Sequence, residues 1–103
     1  MIKFGFDSSS IAEVAQLLET LLEIRFAVHE SSFRGGDYYR AEVPQGTVIV
    51  QKNYDSIDRE PFEHAWPSEK VILYLDGVDC RRWESMIDSI QNANEQVSAT
   101  RLD

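Results

Sequence analysis

Apolar residues along this chain follow two periods, and the switches between them mark its elements. Ile2-Lys3-Phe4-Gly5-Phe6 alternates with period two and predicts a short first strand. Ile11, Val14, Ala15, Leu18, Leu21 and Leu22 then fall at helical spacing and predict an amphipathic helix over residues 10–22. Ser10 and Glu13 supply the pattern of a capping box: the hydroxyl accepts a first-turn amide and the carboxylate reaches back to the cap. Period two returns over residues 24–30, where Ile24, Phe26 and Val28 point one way, as in a half-buried strand. Residues 31–37 read as a loop hinged at Gly35-Gly36, both free to take positive φ. Residues 38–43 and 47–52 read as two further strands joined by the turn Pro44-Gln45-Gly46. Short strands and tight turns make an antiparallel meander the economical topology.

Val71-Ile72-Leu73-Tyr74-Leu75 is apolar on both faces, which places it centrally in a sheet. Asp76-Gly77 turns the chain. Asp79 then caps a second helix with Cys80, Trp83, Met86, Ile87 and Ile90 on its inner stripe. Val97, Ala99 and Leu102 offer a weak edge strand in a polar tail. The expected architecture is one α+β domain over residues 1–103. Its sheet is mostly antiparallel, of four to five strands, with two helices packed on one face. By alternation the other face carries Arg25, His29, Tyr38, Arg40, Ile49, Ile72 and Tyr74. Left uncovered by the helices, that face would serve a partner or a second copy of the chain.

Charge narrows the partners. The net charge is −8, and it is uneven: residues 53–103 hold eleven acids against five bases. An acidic domain repels nucleic-acid phosphates and anionic membranes, and it attracts a basic protein. The longest apolar run, residues 71–75, is far too short to span a bilayer, and no leader-like apolar stretch opens the chain. The expected location is the cytoplasm. Cys80 is the single cysteine, so no intrachain disulfide can form, as suits a reducing compartment. Its plain reading is a small buried residue at a helix start. A reactive thiol would require exposure and a lowered pKa.

Candidate chemistry is sparse. Gly35-Gly36 matches no phosphate-binding motif, and Asp55, Asp58 and Glu60 lack calcium-loop spacing, so no cofactor, metal or catalytic residue is assigned. A small enzyme would have to use His29 or His64 with nearby carboxylates. Neighbours on a strand face opposite sides, so His29 and Glu30 do not converge. A binding surface fits better. After residue 52 comes a long aperiodic loop in which Tyr54, Asp55, Asp58, Glu60, Glu63, His64 and Trp66 mix aromatic groups with acids. Arg34, Asp37, Tyr38 and Arg40 form a second candidate cluster. Aromatic anchors dominate interface energy, and flanking charge sets association rate and partner choice.

The string His29-Glu30-Ser31-Ser32-Phe33-Arg34-Gly35-Gly36-Asp37-Tyr38-Tyr39-Arg40 also carries a resemblance, continued by Val48-Ile49-Val50-Gln51-Lys52-Asn53 and Val71-Ile72-Leu73-Tyr74-Leu75. Over residues 24–77 the chain resembles small bacterial immunity proteins of polymorphic toxin and contact-dependent growth inhibition systems. The resemblance implies stoichiometric inhibition, in which the protein occludes the active site of a cognate toxin domain, often a basic nuclease. It implies no catalytic residue. A monomer or weak homodimer is expected. A homodimeric adaptor that pairs through the open sheet face remains the other non-enzymatic reading.

Overall fold

Six strands and two helices make up the computed structural model, which describes residues 2–7, 10–93 and 98–102. They are β1 (Ile2–Phe6), α1 (Ile11–Leu22), β2 (Ala27–Ser31), β3 (Gly36–Val43), β4 (Gly46–Lys52), β5 (Val71–Asp76), α2 (Cys80–Ala93) and β6 (Ala99–Arg101). The sheet order is β2-β3-β4-β5-β1-β6, and every neighbouring pair is antiparallel. The class is α+β as expected, but the sheet has six strands rather than four to five. The sixth is β6, in the tail whose sequence offers a weak edge strand, and it pairs Phe4 with Arg101 and Phe6 with Ala99 at the β1 edge. Gln91 Nε2 donates to the Ala99 carbonyl at 2.8 Å, and Glu84 pairs with Arg101, so α2 holds this short strand in place.

Local chemistry sets the helix starts. Ser10 is extended, and its hydroxyl accepts the Glu13 amide at 3.2 Å. At the other end of α1, Glu23 takes a left-handed conformation (φ 54°), and the Glu19 carboxylate accepts the Phe26 amide at 3.1 Å. That bond ties the chain leaving the helix to the helix itself. Asp79 accepts the Arg81 amide at the start of α2.

Both helices pack on one face of the sheet. Val14 and Leu18 of α1 and Trp83 and Ile87 of α2 bury against Phe4, Phe6, Val48, Val50, Val71, Leu73 and Leu75. Each such side chain contributes about 1.5–3 kcal/mol on burial. Trp83, Met86 and Ile87 occupy the inner stripe expected of α2; the side chains of Cys80 and Ile90, and the whole of Val97, lie outside the described residues.

Two strand expectations are corrected. Pairing of the second strand begins at Ala27, opposite Arg40, and not at residue 24. Ile24 and Phe26 instead tuck against the core beside the end of α1, and Phe26 meets Tyr39 edge-on at 6.3 Å. Arg25 therefore lies outside the strand. β2 is also not half-buried: Val28 is 60% exposed, because this edge strand extends past the cover of α1, which lies over β3 and β4. The expected loop over residues 31–37 is a 3-10 turn, Ser32–Arg34, followed directly by β3. No described helix is long and apolar enough to cross a membrane.

Candidate functional site

The second face of the sheet is divided. Over β4, β5 and β1 it is covered by the connection between β4 and β5, residues 53–70. Over β2 and β3 it is bare. Strand alternation explains why β4 buries both faces: Val48 and Val50 meet the helices, while Ile49 and Gln51 lie under or beside the connection. Ile72, expected on this face, is fully buried for the same reason.

Asn53 organises the connection. It is 6% exposed; its amide nitrogen donates to the carbonyls of Trp66 (3.0 Å) and Glu69 (2.9 Å), and its oxygen accepts the Glu63 amide at 2.9 Å. One side chain thus fastens three separated points of the loop. A smaller ring closes upstream. Asp55 accepts the amides of Ile57 and Asp58 through Oδ1, and its backbone pairs with Glu60. Glu63 clamps the loop to the sheet, accepting the Tyr74 hydroxyl at 3.0 Å and pairing with Lys3 at 3.0 Å. Burial, followed by this bond to Glu63, raises the Tyr74 pKa, so the hydroxyl stays a donor. Glu69 lies over Gly5, where an added Cβ would fall 2.7 Å from Glu69 Cγ.

At the edge of this cover, between the connection and the turn Ser32–Arg34, runs a groove of about 480 Å³. Phe33, Arg34, Arg40, Ile49, Phe62 and Tyr74 are among its lining residues. Arg34 Nη1 donates to Gln51 Oε1 at 3.0 Å, and the guanidinium lies 5.4 Å from the Tyr38 ring centroid. The other side of Tyr38's environment is His29, stacked with ring centroids 5.5 Å apart. Arg40 donates from Nε to Glu42 at 2.8 Å, and Thr47 donates to the same carboxylate. Together they hold the Glu42 carboxyl below its usual pKa.

The groove and loop meet at Gly35. Its φ is 81°, and a Cβ there would fall 2.6 Å from the Tyr54 carbonyl oxygen and 3.3 Å from the Phe62 ring. This close approach brings the turn bearing Phe33 against the loop bearing Tyr54. Phe33 is 80% exposed and Tyr54 50%, and Ile57, in the Asp55 turn that follows, is 55% exposed.

The sequence-derived candidates separate accordingly. Tyr38 and Arg40 share the second face, as alternation predicts, with Asp37 exposed on the opposite register, and Arg34 reaches that face from the Ser32–Arg34 turn. Tyr54, Asp58 and Glu60 are exposed on the loop, and His64 Nε2 lies 3.2 Å from Glu60. Asp55, Glu63 and Trp66 have internal tasks: turn, clamp, and carbonyl acceptor for Asn53. Sequence reasoning missed Phe33, Ile57, Gln51 and Asn53. Phe33 and Ile57 are apolar residues inside polar stretches, a readable sign of an exposed anchor. Neither histidine lines the groove, and no group of three metal-ligating side chains occurs among the described residues. Comparison with protein-family models, curated proteins and solved structures finds no match for this chain.

Proposed function

We propose that the chain is an immunity-type binding protein that neutralises a bacterial toxin domain by covering its active site. The observation that carries this reading is the rim built around Gly35. There the exposed Phe33 and Tyr54 meet on a hydrogen-bonded frame, and the loop from Tyr54 carries on to the exposed Ile57, Asp58 and Glu60. Aromatic and aliphatic anchors on a fixed frame lose little entropy on binding, and acids beside them steer a basic partner. The resemblance over residues 24–77 supports the same role. The partner is then a basic toxin domain, such as a nuclease, met in the cytoplasm of the producing cell.

The test is retrieval of the partner from the native cell with a tagged protein, followed by titration calorimetry and an assay of the partner's activity. A one-to-one complex with a basic toxin domain, weakened by salt and accompanied by loss of toxin activity, is the expected result. A protein that retrieves nothing and instead self-associates through the bare β2 edge would replace this reading with the homodimeric one.

A further inference from the structure

The groove holds an arginine that the fold has fixed and left without an acid. Arg34 is partly buried, bonded to Gln51, which is itself 2% exposed, and stacked against Tyr38. A side chain held in this way has already given up its rotamer freedom. Among the described residues Lys3, Arg40 and Arg101 make ion pairs, whereas Arg25, Lys52, Arg59, Lys70, Arg81 and Arg82 make none and stand exposed to water; Arg34 is unpaired and partly buried. Arg40, the other arginine in the groove, is matched by Glu42, and Lys3 by Glu63. No carboxylate among the described residues lies within ion-pair distance of Arg34. A guanidinium carries five N–H donors in a planar fork, and Gln51 takes one.

We infer that this groove receives one carboxylate side chain, an Asp or Glu of the bound partner protein, with apolar atoms on either side of it. This deepens the partner-binding reading and rests on it. The fork suits a carboxylate bidentately. Ile49, Phe62 and Phe33 give a lining that is otherwise polar (Ser31, Arg40, Thr47 and Tyr74) an apolar part, against which the hydrocarbon of an incoming side chain can pack. Asp76 also lines the groove, and the whole chain carries −8. That field opposes any anion, a multiply charged phosphate more strongly than a single carboxylate, so the fork at Arg34 has less repulsion to offset for the carboxylate. The groove is far larger than a carboxylate and opens beside the exposed Phe33, as suits a side chain delivered by a protein surface. The partner would then present two features: basic surface facing Asp58 and Glu60, and one acid set among apolar residues facing Arg34.

The test is a chemical-shift titration of the labelled full chain with acetyl-Leu-Glu-Leu-amide, its Gln counterpart, and inorganic phosphate. Saturable shifts of the Arg34 side-chain N–H and the Gln51 side-chain amide are expected with the Glu peptide. Affinity should fall roughly tenfold or more with the Gln peptide, the loss of one charge-assisted bond. Arg34→Gln should abolish the response, while Arg34→Lys, which keeps charge but not the fork, should retain a weakened one. The dispersed amide spectrum of each variant reports its fold. Equal response to both peptides, a stronger response to phosphate, or no response at Arg34 would overturn the inference. Should a toxin domain be retrieved and bind Arg34→Gln undiminished, the groove would be excluded while the immunity reading stood.

Discussion

Asn53 Oδ1 accepts the Glu63 amide at 2.9 Å, linking the end of β4 to the residue that clamps the loop onto Tyr74 and Lys3. The same side chain donates to Trp66 and Glu69, so its three bonds decide whether residues 53–70 form a lid on the sheet or a free connector. Asn53→Ala removes all three and strands buried backbone groups. At about 1 kcal/mol per bond, with the desolvation of the orphaned groups added, the loss is roughly 3–4 kcal/mol. Urea unfolding should show a lowered midpoint. Asn53→Asp should be no milder, since it turns two donors into an acceptor facing carbonyls.

Gly5 and Glu69 are packed so closely that the glycine is required by space rather than by φ. A methyl at residue 5 would fall 2.7 Å from Glu69 Cγ and 2.9 Å from its Cδ. Gly5→Ala should destabilise by about 1–3 kcal/mol, the range for overpacking. In a Glu69→Ala background the same change should cost less, because Cγ and Cδ are gone and only the residue 69 Cβ, 3.0 Å away, remains. A double-mutant cycle would then show coupling of roughly 1 kcal/mol or more. Additive effects would place the strain elsewhere.

Glu69 also sets a pH dependence. It is 8% exposed, and its Oε2 has no hydrogen-bond partner among the described residues. Burial, and next the charge of Asp7, raise its pKa above the ordinary 4.5. The folded state therefore holds a proton that the unfolded state has released. Between 4.5 and the raised folded value the native form binds more protons, so stability falls as pH rises through that window. Glu69→Gln should flatten this part of the stability profile. The variant should exceed the parent at neutral pH and match it at pH values below 4.5, as followed by denaturant unfolding across pH.

These effects show what the amino-acid pattern could and could not reveal. α1 with its Ser10 cap, the β2–β5 meander, the central place of β5 and the inner stripe of α2 all follow from short-range periodicity and cap chemistry. So does the shared face of His29, Tyr38 and Arg40. The start of β2 departs from the periodic pattern because Ile24 and Phe26 satisfy a strand's alternation while packing against the core beside the end of α1. The fold of residues 53–70 left no periodic trace. It depends on hydrogen bonds from Asn53 to residues ten to sixteen positions away, and such pairings are set by tertiary approach. The same limit hid the split of the second face, and with it the groove.

Gly35 can be tested as the hinge between groove and loop. Its left-handed φ already disfavours a side chain, and the Tyr54 carbonyl stands 2.6 Å from where a Cβ would fall. Gly35→Ala should cost about 1–3 kcal/mol. It should also separate Phe33 from the loop, so that partner binding weakens by more than the loss of stability accounts for. Retained affinity in a folded Gly35→Ala protein would show that the two halves of the rim bind independently.

Reversing the acidic loop isolates electrostatic steering, provided the right acids are chosen. Asp55 and Glu63 are unsuitable: one caps a turn and the other clamps the lid, so their replacement by Lys mixes unfolding with charge. Asp58 and Glu60 are exposed, with side chains free of structural bonds to the sheet. Asp58→Lys with Glu60→Lys shifts the net charge from −8 to −4 while leaving the Asn53 and Asp55 networks in place. Stability should change by less than about 1 kcal/mol. Association with a basic partner should slow by roughly tenfold or more at low salt, and its dependence on ionic strength should shrink, whereas dissociation should change little. Stopped-flow measurements at several salt concentrations separate these terms. An unchanged association rate would remove the acidic loop from the encounter surface and leave the Phe33 and Arg34 side of the rim to account for binding.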